Sequence, residues 1–265
     1  MIVIGERLNS TRQRVLEALR DRNQAFILAE AAAQREAGAA YIDLNAAALL
    51  SGEIDALTWA VPLLRREAGV PLAIDTPNPD AMEAGLRLHG GRAMLNSLTG
   101  EETRLKRLVP LVKEFKPAVI ALCLDDGGIP TSADQELRVA VRITDLLVKQ
   151  GVNPEDIFVD PLVRPIAVDH EAARLFLESL RLIKRSMPQV RTVAGISNVS
   201  FGLPERKALN RTLLALAIDA GLDAAILDPL DRSTMSSLAA AEALVGRDPS
   251  LKNYLAAARR RKRST

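Results

Sequence analysis

Thr192-Val193-Ala194-Gly195-Ile196-Ser197-Asn198-Val199-Ser200-Phe201-Gly202-Leu203-Pro204 is the stretch whose reading decides the fold. A short apolar run, Thr192-Val193-Ala194, leads into small and polar residues with two glycines, and a strongly helical segment follows. That is the pattern of a buried strand that leaves a sheet and turns into a helix. Glycine permits close backbone approach and positive φ, while Ser and Asn bring hydrogen bonds without fixed charge. A connection that only joins a strand to a helix needs about two to six residues. This one is longer and more polar, which makes it a candidate site, although a capped turn ahead of a helix draws on the same residue types.

The same unit recurs on both sides of it. Short apolar strands are expected at residues 1–4, 41–45, 71–75, 92–97, 118–124, 157–161, 191–196 and 224–229. Helical patterns fall between them, at residues 23–37, 56–67, from 78 onward, to about 115, from 132, 171–186, 205–220 and 235–245, with a short terminal helix over 250–261. Some helices announce their start. Asn78-Pro79-Asp80 offers a cap residue, proline at the first helical position and an acid in the first turn. Asp55 can cap the helix that follows it, and Thr99/Glu102 and Ser132/Gln135 have capping-box spacing. Nearly continuous apolar strands suit a parallel sheet buried on both faces. Eight strands alternating with eight helices over 265 residues predict an α/β fold, a (β/α)8 TIM barrel. The competing open sheet would need a glycine-rich dinucleotide loop after the first strand, and Gly5-Glu6-Arg7-Leu8-Asn9 does not match one. No composition break divides the chain, so a single domain over residues 1–265 is expected, with a basic C-terminal tail from about 258.

Composition narrows the function. The net charge of +2 is too small to imply nucleic acid, and the basic run Arg259-Arg260-Arg261-Lys262-Arg263 has no interleaved aromatics for base stacking. Cys123 is the only cysteine and follows Val119-Ile120-Ala121-Leu122, so a buried, inert thiol is expected, as is a reducing cytoplasm. Two histidines and one cysteine, far apart, form no metal-ligand cluster. No signal peptide or membrane-spanning run is evident.

In a barrel of this kind, reactive groups sit at the C-terminal ends of the strands. Those ends carry Glu6 and Asn9, Asp43 and Asn45, Asp75, Asn96, Asp160, Ser197 and Asn198, and Asp228. Singly, each could serve a turn or a cap, and Asp228 before Pro229 reads as structural. Together they describe a mouth rich in acceptors, with Arg7 and Arg206 as the obvious cations. No lysine ends a strand, which argues against a Schiff-base aldolase, and His89 and His170 fall outside the pattern, so no Ser-His-Asp set forms. Convergent Asp and Asn suit a flat ligand with an N–H-rich edge, such as the 2-amino-4-oxo edge of a pterin or guanine. A carboxylate accepts two parallel hydrogen bonds from such an edge, each worth roughly 1.5–3 kcal/mol.

These residues resemble the pterin-binding methyltransferase family, in particular the methyltetrahydrofolate:corrinoid iron–sulfur protein methyltransferases, with the folate module of cobalamin-dependent methionine synthase as a more distant relative. The likeness covers nearly the whole chain. It rests on Gly5-Glu6-Arg7-Leu8-Asn9, Asp43-Leu44-Asn45, Ile74-Asp75, Met94-Leu95-Asn96-Ser97, Asp160-Pro161 and above all Gly195 to Pro204, with Arg206 and Asn210-Arg211 following. The resemblance implies transfer of the N5-methyl group between methyltetrahydrofolate and the cobalt of a protein-bound corrinoid (cobalamin). It implies that Asp75, Asn96 and Asp160 hold the pterin, with Glu6, Asp43, Gly195, Ser197 and Arg206 completing the folate pocket. It places Asn198 at N5 as the catalytic residue, and it implies a homodimer. Asp169-His170-Glu171 lacks the Asp-x-His-x-x-Gly pattern of a cobalt-ligating loop, so the corrinoid is expected on a partner protein. Two alternatives share the pterin edge. A dihydropteroate synthase follows its strand-seven serine with Arg-Lys, whereas Ser197 here precedes Asn198-Val199. A non-catalytic folate-binding protein would keep the pterin residues but need not keep Asn198.

Overall fold

The structure is a computed structural model and describes residues 1–262. Its eight strands are β1 (Ile2–Asn9), β2 (Tyr41–Asn45), β3 (Leu72–Asp75), β4 (Met94–Thr99), β5 (Ala118–Leu122), β6 (Ile157–Asp160), β7 (Arg191–Gly195) and β8 (Ala224–Leu227). They are all parallel and close into a barrel in chain order. The closure is the pairing of β1 with β8, Ile2 opposite Ala224 and Gly5 opposite Leu227, which rules out the open sheet. The helices are α1 (Gln13–Arg20), α2 (Gln24–Glu36), α3 (Glu53–Glu67), α4 (Pro79–His89), α5 (Glu102–Phe115), α6 (Ala133–Lys149), α7 (Ala172–Ser186), α8 (Arg206–Ala220), α9 (Arg232–Leu244) and α10 (Lys252–Lys262).

The two-residue period of a strand sorts side chains between two cores. On β2, Ile42 and Leu44 pack outward with helix residues such as Ile27, Leu57, Val61 and Leu64. The alternate positions face the barrel axis. There Ile4, Ala73, Met94, Ala118, Ile120, Phe158, Val193 and Ala224 pack together, with Tyr41 and Ile226 against them. This apolar plug fills the lower barrel, as barrel interiors of this class require. Two residues further along six of the strands, the inward position changes character. Ile4 gives way to Glu6, Tyr41 to Asp43, Ala73 to Asp75, Met94 to Asn96, Phe158 to Asp160 and Val193 to Gly195. The polar mouth is thus the next layer of the same packing.

Several local expectations are corrected. Helix α1 has no counterpart in the sequence reading. It has eight residues, buries Val15, Ala18 and Leu19, and begins at Arg12 without a side-chain cap, so no start signal marks it. Asp55 caps nothing; α3 begins earlier, at Glu53, with Gly52 at its cap. Thr99 and Glu102 form no capping box. Thr99 donates to Glu101, and the Glu102 amide donates to Asp126 at 3.0 Å, a partner from the next loop. Asn78 and Ser132 do cap as expected, accepting from the Asp80 and Gln135 amides. However, Gln135 Oε1 takes the Thr131 amide instead of that of Ser132. Residues 47–67 contain an 18-residue stretch with a mean hydropathy of 1.3, long and apolar enough to cross a membrane, which the sequence reading passed over. Here they form a 3-10 turn, Ala47–Gly52, followed by α3 packed against the barrel. Cys123 is buried and unpaired. The basic tail coincides with the end of α10, and Arg263 to Thr265 lie outside the described residues.

Candidate functional site

The mouth is built from strand ends that brace one another. Asn96 Nδ2 donates to Asp43 Oδ1 at 3.0 Å, joining β4 to β2. Asp43 is almost fully buried, so it serves from beneath and fixes the Asn96 carboxamide with its nitrogen inward and its carbonyl oxygen outward. Asn45 does the same for β3. Its Nδ2 donates to Asp75 Oδ2 at 2.9 Å, and its Oδ1 accepts from Ser10 Oγ and the Ala47 amide at 2.9 and 3.1 Å. Asp160 Oδ1 accepts the Leu162 amide at 3.0 Å. Asp75 and Asp160 therefore each have one oxygen tied down and the other unspent, and Asn96 has its nitrogen tied down and its one oxygen unspent. None of these unspent oxygens is sealed in the interior without a partner.

Burial dominates the electrostatics. Asp160 is 8% exposed, and burial pushes its carboxyl up to about 7, with the Leu162 amide pulling it back. Asp75 is pushed up to about 6 by burial; the hydrogen bond from Asn45 opposes this and the nearby Glu53 charge adds to it. Asp43 is raised well above the ordinary carboxylate range by burial and by Asp75, against the Asn96 hydrogen bond. Glu6 is raised by burial and lowered by Arg12 and Ser197. Carboxylates crowded in a low-dielectric floor resist ionisation until donors arrive. A ligand bringing N–H groups would supply what this floor lacks.

The β7 connection closes one side. Residues Ile196–Ser200 form a 3-10 turn in which Ile196, Val199 and Ser200 are buried. Ser197 Oγ donates to Glu6 Oε2 at 3.2 Å, joining the loop to β1. Arg206 holds the loop from α8. Its Nε donates to Ser200 Oγ at 3.0 Å and its Nη2 to the Ser197 carbonyl at 2.9 Å, while its guanidinium lies over the Phe201 ring. The side chain of Asn198 is exposed and makes no hydrogen bond among the described residues. A Cβ on Gly195 would meet Asn198 Nδ2 at 3.2 Å, so the carboxamide lies close over a backbone that only glycine leaves clear.

The structure thus gathers Glu6, Asp43, Asp75, Asn96, Asp160, Gly195, Ser197 and Asn198 around one opening. Arg206 borders it with part of its fork turned into the loop. Asp228 holds Arg7 at 2.9 Å and accepts the Leu230 amide at 2.9 Å, a role both structural and local to the rim. Two rim residues carry roles that the sequence reading did not assign. Asn45 stood among the strand ends and in the motif Asp43-Leu44-Asn45, but without a role in the site. Arg12 was missed altogether and lies 3.9 Å from Glu6 and 3.8 Å from Asp228. Among the described residues no His/Cys/Asp/Glu group could hold a metal ion.

Comparison of the whole sequence places this acceptor-lined (β/α)8 barrel among known proteins. The family model for pterin binding enzymes matches residues 5–228, and the chain belongs to that family. Within it, the chain is 32% identical over 264 residues to the methylcorrinoid:tetrahydrofolate methyltransferase of Eubacterium limosum, across 99% of this chain and 97% of that protein. It is also 31% identical over 240 residues to methionine synthase of Mycobacterium tuberculosis, covering 86% of this chain but only 20% of that longer protein. Dihydropteroate synthase of Xanthomonas albilineans, solved with 4-aminobenzoic acid, shares the fold with a TM-score of 0.69 over 92% of each chain, at 18% identity. The Yersinia pestis dihydropteroate synthase bound to a pterine-sulfa conjugate gives 0.65 at 15% identity, again over 92% of each chain. At such identities the likeness is one of fold alone.

Proposed function

We propose that this chain is a methyltransferase that moves the N5-methyl group between methyltetrahydrofolate and the cobalt of a corrinoid carried by a partner protein. The observation that carries the reading is the set of three half-spent acceptors, Asp75, Asn96 and Asp160, beside the unpartnered carboxamide of Asn198. The names of the Eubacterium limosum and mycobacterial relatives support the same chemistry.

The carboxylates of Asp75 and Asp160 accept the ring N–H and exocyclic amine of the pterin, and Asn96 Oδ1 adds a third acceptor. Asp43 and Asn45 hold these groups in place, so little ordering is left for the ligand to bring about. Methyl transfer is an in-line displacement at carbon with N5 as leaving group, and a bare amine anion leaves poorly. N5 must gain a proton or strong hydrogen-bond donation as the bond breaks. Asn198 cannot supply the proton, because a carboxamide does not ionise usefully near neutral pH. Its work is that of a positioned dipole whose bond to N5 strengthens as N5 changes protonation, which lowers the barrier more than it strengthens ground-state binding. The corrinoid, when delivered, supplies the nucleophilic cobalt. A dihydropteroate synthase needs cationic groups free for a diphosphate beside β7, and Arg206 has two of its donors committed to Ser197 and Ser200.

The test pairs binding with turnover. Methyltetrahydrofolate is titrated calorimetrically, and the loss of Co(I) absorbance is followed with free cobalamin and with the cognate corrinoid protein. Saturable binding with methyl transfer is expected. Tight binding with no transfer to either acceptor would leave a folate-binding protein and end the enzyme reading.

A further inference from the structure

We propose that Arg12 receives the anionic benzoylglutamate tail of the folate and so selects a carboxylate-bearing folate over a tail-less pterin. The inference rests on the folate reading above. Of the guanidinium groups around Glu6, Asp228 and the β7 loop, two are committed. Arg7 gives Nε and Nη2 to Glu30 at 2.7 and 3.1 Å and Nη1 to Asp228 at 2.9 Å. Arg206 gives Nε and Nη2 to the β7 loop. Arg12 makes no side-chain hydrogen bond among the described residues. It lies near Glu6 and Asp228 at 3.9 and 3.8 Å, with a side chain 40% exposed. Its donors are unspent.

Turning toward a ligand costs Arg12 its charge contact with Glu6, but neither of its partners is then left bare. Asp228 keeps Arg7, and Glu6 keeps the Ser197 hydroxyl. The position suits the tail. In a tetrahydropterin, C6 carries the tail and is bonded to N5. With N5 at Asn198, the tail leaves on the β7 side of the mouth. β8 lies between β7 and β1, and Arg12 bridges the ends of β8 and β1 through Asp228 and Glu6. The chemistry also asks for a cation there. The floor is lined by Glu6, Asp43, Asp75 and Asp160, and the tail brings two carboxylates of the same sign. A guanidinium matches a carboxylate through two parallel N–H donors.

The test compares two ligands by calorimetry, 5-methyltetrahydrofolate and 5,6-dimethyltetrahydropterin, which lacks the tail. Arg12→Ala and Arg12→Gln should each weaken folate binding about tenfold and the tail-less pterin less than twofold, as expected of a half-exposed charge-assisted contact. The selective loss should shrink with added salt. Lys207, which pairs loosely with Asp231 at 3.8 Å, serves as the control, and Lys207→Ala should change neither ligand. Equal losses for both ligands, no loss for either, or a folate-selective loss in Lys207→Ala instead would overturn the assignment while leaving the folate reading intact. Failure of the wild-type protein to bind either ligand would overturn the folate reading and this inference with it.

Discussion

Replacing Asp160 by Asn should stabilise the free protein while weakening its grip on folate. The carboxyl of Asp160 is held at about 7 by burial, against an ordinary value near 4 in an unfolded chain. The folded state therefore keeps a proton that the unfolded state has already released between about pH 4 and 7. Below the unfolded value the group costs the fold nothing. As pH rises through 7, the full penalty appears. Holding the carboxyl at about 7 then amounts to roughly 4 kcal/mol at pH 8 and about 2 kcal/mol at pH 5, as upper limits. Interior relaxation trims such figures, so a gain of about 1–3 kcal/mol is expected at pH 8. Asparagine is close in shape, and its Oδ1 can still accept the Leu162 amide that Asp160 accepts at 3.0 Å. Urea denaturation of the free variant and wild type at pH 5 and pH 8, with methyltetrahydrofolate titrated into each, makes the measurement. The account requires a gain larger at pH 8 than at pH 5, together with folate binding at least about tenfold weaker. A variant that is less stable at pH 8, or whose folate affinity is unchanged, would refute the reasoning.

Other outcomes follow from the same geometry. Asn198→Ala should lower the methyl-transfer rate about 10²-fold and folate affinity by only a few-fold; equal losses in single-turnover rate and Kd would reduce Asn198 to ground-state binding. Gly195→Ala should slow transfer several-fold with little change in melting temperature. Its φ of −80° suits any residue, but the new Cβ presses on Asn198 Nδ2 at 3.2 Å; wild-type rates would mean that this contact does not position Asn198. Folate affinity should fall as pH drops through about 7 and then about 6, where Asp160 and Asp75 take up protons and can no longer accept as anions. A flat affinity profile from pH 8 to 5 would count against both carboxylates.

Much of this was legible in the chain. The barrel follows from eight apolar runs, nearly all of which stop on a polar residue, and the candidate mouth follows from the strand period. Glu6, Asp43, Asp75, Asn96 and Asp160 each lie two positions beyond a residue of the apolar plug or one packed against it, so they face the axis one layer higher. What stayed hidden depends on closure and on partners distant in sequence. Arg12 sits in the polar turn Ser10-Thr11-Arg12-Gln13-Arg14 with nothing to set it apart. It gains meaning only because β8 returns beside β1 and brings Asp228 to it. Asn45 looks like any strand-end carboxamide until its bond to Asp75 shows it to be a brace. Thr99 and Glu102 have the spacing of a cap, yet Asp126 from the next loop takes the amide. Local pattern loses wherever a tertiary partner offers the better bond.

The most direct test of the central claim is a crystal structure with methyltetrahydrofolate bound. The account predicts the pterin edge on the free oxygens of Asp75, Asn96 and Asp160, with N5 within hydrogen-bond reach of the Asn198 carboxamide. A ring seated elsewhere, or bound in the mouth with N5 turned away from Asn198, would contradict it.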